Sequence, residues 1–169
     1  MTQVIIFNQD NGIPAVVMPT QEALDAHGIM AIAIKDVPYN KPFKIVAASD
    51  LPTAPQEAWV VPDSALTDGV GLGASRWFLK QYRAEIAAVE AEQAPEPQQP
   101  MTREQMGSME GADELTAEEL DTAYAQYVAS IEQQNANALT SWQESKTQRI
   151  AQLNAQIAQM EQQIAQEAV

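Results

Sequence analysis

Hydrophobic positions in the first part of the chain cluster in short runs of β-branched and apolar residues, and residues 42–46 also follow the two-residue alternation that is typical of a β-strand. Four runs rich in β-branched and apolar side chains predict strands: residues 3–7, 13–18, 42–46 and 59–61. Asn11-Gly12 separates the first two runs and favours a hairpin, because such a pair supplies the positive φ angles of a tight turn. Pro14 predicts that the second strand lies at a sheet edge. The pattern therefore predicts a mainly antiparallel sheet.

Short helices and turns accompany these strands in a small domain that we assign to residues 1–73. Thr20 is a predicted N-cap for a helix over residues 21–27, and Gly28 is its predicted end. Residues 29–34 form a further apolar run. Residues 68–73 carry glycine at every second position, which we interpret as a loop or hinge, because the Lys-Ser/Thr of a phosphate-binding loop does not follow. The predicted fold class is α+β.

Two segments with different periodicity follow this domain. Residues 74–92 predict a helix with one apolar stripe, which is expected to pack on the sheet or on another helix: Phe78, Tyr82, Ile86 and Val89. Residues 93–112 begin with three closely spaced prolines among Gln and Glu, which favours an extended, unpacked linker. We expect proteases to cleave within this linker.

A long helix is predicted over residues 113–169. Thr116 and Glu119 form a capping-box pattern, and Leu115 and Leu120 have the spacing of a hydrophobic staple. Neither glycine nor proline occurs after Gly111. About 52 residues would span roughly 78 Å. A helix of that length exceeds the core of a small domain, so it must pair with copies of itself, with a partner, or fold back on its own chain.

Apolar residues on this helix recur at intervals of eleven, which predicts a nearly straight seam for a coiled coil or bundle. The candidate oligomer or partner seam comprises Leu120, Tyr127, Val128, Ile131, Leu139, Trp142, Ile150, Leu153, Ile157, Met160 and Ile164. The remaining surface is rich in Ala and Gln, which form helices well but do not encode partner choice as flanking charges do. This favours a homo-oligomer. A trimer is our preferred state, although two to four strands fit the pattern.

Charge and composition exclude several classes of function. The 169 residues carry a net charge of −14, with 9 basic residues, which argues against binding nucleic acid or an anionic membrane surface. The chain has no cysteine, and its apolar runs are too short to span a bilayer. No signal-peptide pattern is present at the start. These features predict that the protein binds neither nucleic acid nor a membrane.

No residue pattern indicates catalysis, a cofactor or a metal. His27 is the only histidine, and a histidine in the last turn of a short helix interacts favourably with the carbonyl groups at the end of that helix. The acidic pairs Asp113-Glu114 and Glu118-Glu119 are interpreted as charges at a helix start rather than metal ligands. We therefore predict that the protein is not an enzyme and has no catalytic, cofactor-binding or metal-binding residues.

Several short motifs in residues 1–73 point to a biological setting. They are Val4-Ile5-Ile6-Phe7, Gly12 with Ala15-Val16-Val17-Met18-Pro19, Lys35-Asp36-Val37-Pro38, Pro42-Phe43-Lys44-Ile45-Val46, Asp50-Leu51-Pro52, Ala58-Trp59 and Asp68-Gly69-Val70-Gly71. Together they resemble small proteins encoded in the tail and tail-fibre regions of tailed bacteriophages. The resemblance implies synthesis in the host cytoplasm, a place in the virion and other phage structural proteins as partners. It carries no catalytic residues, and the linker and long helix depart from the shorter helical segment of such proteins.

Two functions follow as hypotheses. The first is a virion structural protein of the tail, baseplate or fibre-attachment region, in which the small domain docks and the long helix self-associates. The alternative is a non-virion tail or tail-fibre assembly chaperone, whose helix shields an aggregation-prone partner. An acidic DNA mimic is disfavoured, because the acidic residues do not line one face. Detection in purified particles distinguishes the first two.

Overall fold

A four-stranded sheet and five α-helices make up residues 2–167, the part of the chain that the computed structural model describes. The strands are β1 (Gln3–Asn8), β2 (Pro14–Val17), β3 (Pro42–Ala47) and β4 (Gly69–Val70). The helices are α1 (Gln21–His27), α2 (Ile29–Asp36), α3 (Ala74–Ala91), α4 (Arg103–Gly107) and α5 (Ala117–Glu167). Short 3₁₀ turns lie at Ala48–Asp50, Gln56–Ala58, Asp63–Ala65 and Ala112–Glu114. The predicted α+β class is confirmed.

The sheet is antiparallel throughout, with strand order β2-β1-β3-β4. Ile5 of the central strand β1 pairs with Val17 on one side and Ile45 on the other. Alternate residues of these strands face α2, because side chains alternate between the two faces of a sheet. The resulting core contains Ile5, Phe7, Ile32, Ala33, Val37 and Phe43. Burial of these apolar side chains is the main stabilisation available to so small a sheet.

The local signals for the hairpin and for α1 are confirmed. Gly12 has φ 79°, and the Asn11 side-chain oxygen accepts a hydrogen bond from the Ile13 amide at 3.0 Å. The Thr20 hydroxyl accepts one from the Ala23 amide at 3.2 Å, as an N-cap does. Gly28 ends α1 with φ 74°. The apolar run at 29–34, to which the sequence assigned no element, belongs to α2.

The predicted strand at 59–61 is wrong. Its polar groups bond to isolated partners instead of a neighbouring strand: the Trp59 indole N–H donates to the Ala54 carbonyl at 2.8 Å, and the Asn8 side-chain amide donates to the Val61 carbonyl at 2.8 Å. The last strand is β4, inside the segment predicted as a loop or hinge. Gly69 allows this pairing, because a Cβ there would lie 2.7 Å from the Phe43 ring.

The rest of that glycine-rich segment is fixed to the domain rather than hinged. The Gly71 amide donates to the Lys41 carbonyl at 2.8 Å, and the Leu72 amide donates to the Ile34 carbonyl at 2.8 Å. A Cβ on Gly71 would collide with the carbonyl oxygens of Val37 and Pro38. The hinge interpretation is therefore wrong, because backbone hydrogen bonds fix the segment and Gly71 serves close backbone approach.

The described residues divide into two compact units. The first consists of the described parts of Met1–Ala84 and Asn154–Val169, and the second is Glu85–Leu153. The first unit contains the sheet, the start of α3 and the end of α5. The second contains the end of α3, the proline-rich segment, α4 and most of α5.

Candidate association seam of the long helix

The start of α5 has the predicted capping box. The Thr116 amide donates to Glu119 Oε2 at 2.8 Å, and the Glu119 amide donates to Thr116 Oγ1 at 3.3 Å. The hydrogen bond from the Thr116 backbone, with a further one from its hydroxyl, holds the pKa of Glu119 below its usual value. The helix continues from this cap for 51 residues. A local sequence signal therefore sets where the longest element begins.

The predicted seam residues lie on the partly covered side of α5. Ile131 and Leu153 are buried, with 9% and 7% of their surface exposed, whereas Leu139 is 41% exposed. The remaining eight are half-buried: Leu120, Tyr127, Val128, Trp142, Ile150, Ile157, Met160 and Ile164. The structure thus places the eleven-residue rows on a common covered side, with Leu139 at its uncovered edge.

In the second unit, the proline-rich segment covers part of this seam. The Gln98 amide donates to Asn135 Oδ1 at 2.8 Å, and Asn135 Nδ2 donates back to the Gln98 carbonyl at 2.9 Å. The Met101 amide donates to the Tyr127 hydroxyl at 3.2 Å. Residues 93–99 are exposed and without regular structure, as expected of a linker, but Gln98 and Met101 are bonded to α5 rather than unpacked. Side chains of α5 satisfy backbone groups that an extended chain leaves unpaired.

The carboxyl end of α3 meets the same helix through Lys146. Its ammonium donates to the carbonyl oxygens of Glu90 at 2.8 Å and Glu92 at 3.2 Å, and it lies 4.8 Å from the centroid of the Trp142 ring. A cation is favourable there, because unsatisfied carbonyls and the helix dipole make a helix end negative. Arg149 adds an ion pair with the Glu92 carboxylate at 2.7 Å.

The sequence interpretation missed α4, which lies within the predicted linker. Thr102 and Gln105 form its capping box, so the missed signal is the same local pattern that marks α5. Arg103 pairs with Asp121 on α5. Gly107 allows α4 to approach closely, since a Cβ there would lie 3.2 Å from Leu120 Cδ2.

Polar residues within the seam were also missed. Tyr124, Asn135, Lys146 and Ile157 are separated by eleven residues, as the apolar rows are, and all four are half-buried. The shared interval places them on one straight line along the helix. The eleven-residue interval could have identified Asn135 and Lys146 from the sequence, but the prediction considered apolar residues only.

In the first unit, the end of α5 is attached to the start of α3. The Ser75 hydroxyl, on a residue only 8% exposed, donates to Glu167 Oε1 at 2.8 Å. Arg76 pairs with the Glu167 carboxylate at 2.6 Å, and Arg83 pairs with Glu161 at 2.9 Å. The Ser75 hydrogen bond, supported by Arg76, holds the pKa of Glu167 below its usual value.

The predicted α3 stripe is buried unevenly. Val89 is fully buried, Tyr82 and Ile86 are half-buried, and Phe78 is 36% exposed. The Phe78 ring stacks on Tyr82 with centroids 6.1 Å apart. The stripe is therefore a packing face for part of its length.

The sequence also singled out His27 and the acidic pairs as possible chemistry-bearing residues. His27 is exposed at the end of α1 and lines a cavity of about 160 Å³ with Ala31, Ile32, Lys35, Trp77 and Phe78. Within residues 2–167, His, Asp and Glu side chains form no cluster of three or more that could hold a metal ion. No helix in this part of the chain combines the length and apolar character that crossing a bilayer requires.

Comparisons with protein-family models, with curated proteins and with solved structures give no match for this chain. The arrangement of α5 itself is therefore the basis for a functional argument. Its seam holds apolar, hydroxyl, amide and ammonium groups that contact other atoms of the same chain.

Proposed function

We propose that this chain is a bacteriophage virion structural protein of the tail, baseplate or fibre-attachment region, which acts by docking to other phage structural proteins and by helical self-association. The phage setting is supported by the resemblance of residues 1–73 to small tail-region proteins. The observation that carries the structural role is α5, with 51 residues and regular apolar rows. Such a helix suits assembly better than catalysis.

Self-association is supported by the apolar surface that the chain itself leaves open. Leu139 is 41% exposed, and Val128 and Ile150, in the same eleven-residue row, are half-buried. The basic residues of α5, Lys146 and Arg149, are already bonded to Glu90 and Glu92. The open surface of the helix is therefore acidic, and we expect salt to strengthen self-association by screening repulsion between copies.

Docking of the small domain is supported by two exposed apolar side chains. Met18, directly after the edge strand β2, is 70% exposed, and Val60 is 92% exposed. An edge strand also presents unpaired backbone groups on its outer side. These residues are the proposed contact points with another structural protein of the particle.

Quantitative mass spectrometry of gradient-purified particles, from the phage that encodes this chain, tests the proposal. A virion structural protein remains in the particle at a fixed ratio to the tail proteins. Loss of the protein during purification, combined with failed tail assembly when its gene is deleted, would instead support the tail or tail-fibre chaperone. A structural protein and a departed chaperone cannot give the same ratio.

A further inference from the structure

The seam of α5 contains a site for extended polypeptide. We call residues 92–101 the strap, and Tyr127, Asn135 and Lys146 the receiver face. Asn135 bonds to both the amide and the carbonyl of Gln98, and Tyr127 accepts from the Met101 amide. Lys146 donates to the Glu92 carbonyl. The receiver face therefore recognises backbone atoms rather than particular side chains.

The chemistry of this face restricts what can replace the strap. Asn135 and Lys146 are half-buried, and both direct their polar groups to backbone atoms of the chain that lies over them. The middle of a helix from another copy offers no free backbone partner, because its own amides and carbonyls are paired along the helix. An extended chain has both groups free. Extended chain therefore supplies the backbone partners that this face bonds in the structure, whereas a second helix would have to pair with it through side chains.

We propose that copies of this chain associate by exchanging the strap, so that residues 92–101 of one copy lie on the receiver face of a second copy. This inference rests on the proposed self-association and specifies how it occurs. A second copy supplies the same backbone groups at the same spacing, so exchange retains every hydrogen bond of the closed chain. Exchange of an identical element is a low-cost route to an oligomer.

The connection between α4 and α5 is suited to act as the hinge. Residues 108–111 are exposed, and Gly111 adopts φ 85°, which glycine does without strain. The α5 contacts outside the strap are also available in a second copy, since Arg76 and Arg83 bind Glu167 and Glu161 through side chains that every copy carries. Opening this connection gives up local turn hydrogen bonds, such as those from the Met109 amide to the Met106 carbonyl at 3.2 Å and from the Ala112 amide to the Met109 carbonyl at 3.1 Å, while the partner supplies the α5 contacts.

Two single-cysteine variants test the exchange directly. The native chain has no cysteine, and the side chains of Glu92 and Arg149 lie 2.7 Å apart and are partly exposed. Glu92→Cys and Arg149→Cys chains are unfolded together, refolded, checked for native helix content by circular dichroism, and separated by size. The oligomer fraction is then treated with a short bifunctional thiol reagent. We expect a 92–149 cross-link between two chains.

A matched control replaces the second variant with Gln133→Cys, which lies on α5 well away from Arg149 and bonds only to Asn137 in the same helix. This pair should give at least tenfold less cross-linked product. An oligomer without the 92–149 link between chains overturns the exchange but leaves self-association standing. A chain that stays monomeric at tens of micromolar overturns self-association, and the exchange with it.

Discussion

Leu153 and Leu139 allow the burial of the seam to be tested with one chemical change. Both are leucines within α5, but Leu153 is 7% exposed and Leu139 is 41% exposed. Leu→Ala removes three carbons, which at about 0.8 kcal/mol each is about 2.4 kcal/mol of transfer free energy. At Leu153 the cavity left behind raises the loss of unfolding free energy to about 3–4 kcal/mol. At Leu139 partial exposure limits the loss to about 1 kcal/mol.

Urea unfolding followed by circular dichroism at 222 nm measures both variants against the native chain. A difference of about 2 kcal/mol between them separates their midpoints by about 1 M for a typical slope. Dilution adds a second readout, because burial within one chain gives midpoints independent of concentration, whereas burial between copies does not. Equal losses for Leu153→Ala and Leu139→Ala would show that the seam is not covered as described.

Three further predictions concern other contacts. Gly71→Ala should lower the unfolding free energy of the small domain by about 3 kcal/mol, because the added Cβ meets the Val37 and Pro38 carbonyls. Gly12→Asn, where nothing lies near the Cβ, should lower it by under about 1 kcal/mol. Thermal unfolding followed by near-ultraviolet circular dichroism compares the two variants, and equal melting temperatures would contradict the clash. Ser75→Ala should return the pKa of Glu167 toward its ordinary value, as an NMR titration of that carboxyl would show. A carboxyl whose pKa is lowered by folding stabilises the fold at pH values above its unfolded-state pKa, and this stabilisation is lost as the pH falls through its folded-state pKa. Ser75→Ala removes part of that contribution, so the variant should lose less unfolding free energy than the native chain when the pH is lowered. Limited proteolysis of the native chain should cut first within residues 108–116. Asn135→Ala removes both hydrogen bonds to Gln98 and should therefore open residues 93–101 to cleavage. First cuts at 93–101 in the native chain would contradict the bound strap.

Signals that act within a few residues were predicted well from sequence. Thr20, Thr116 and Glu119 were identified as capping residues because a cap depends on chemistry three residues away. The recurrence of apolar residues at intervals of eleven along α5 could also be read from the sequence, since this spacing depends on one helix alone. Such features need no knowledge of distant chain.

Features that depend on distant partners were predicted poorly. Val60 has strand-forming neighbours, yet the segment pairs with neither sheet edge, and its polar groups bond to Asn8 and Ala54 instead. Gly69 looked like a loop residue, although the ring of Phe43 makes glycine the residue that fits its strand position. Asn135 looked like an ordinary polar surface residue until the position of Gln98 was known. In each case a deciding contact is made by a residue distant in sequence: Asn8, Phe43 or Gln98.

The hydrogen bonds of the strap impose a rule on how its sequence can vary. Pro95, Pro97 and Pro100 occupy positions where no amide hydrogen is used, while Gln98 and Met101 both donate theirs to α5. Proline lacks that hydrogen, so it should be excluded from positions 98 and 101 in a segment that otherwise accepts it readily. The bonds from Asn135 and Tyr127 place no demand on the side chains at these positions, because they are made to the backbone. A library randomised over residues 93–101 and selected for folded protein should therefore tolerate proline at positions other than 98 and 101 and reject it at these two.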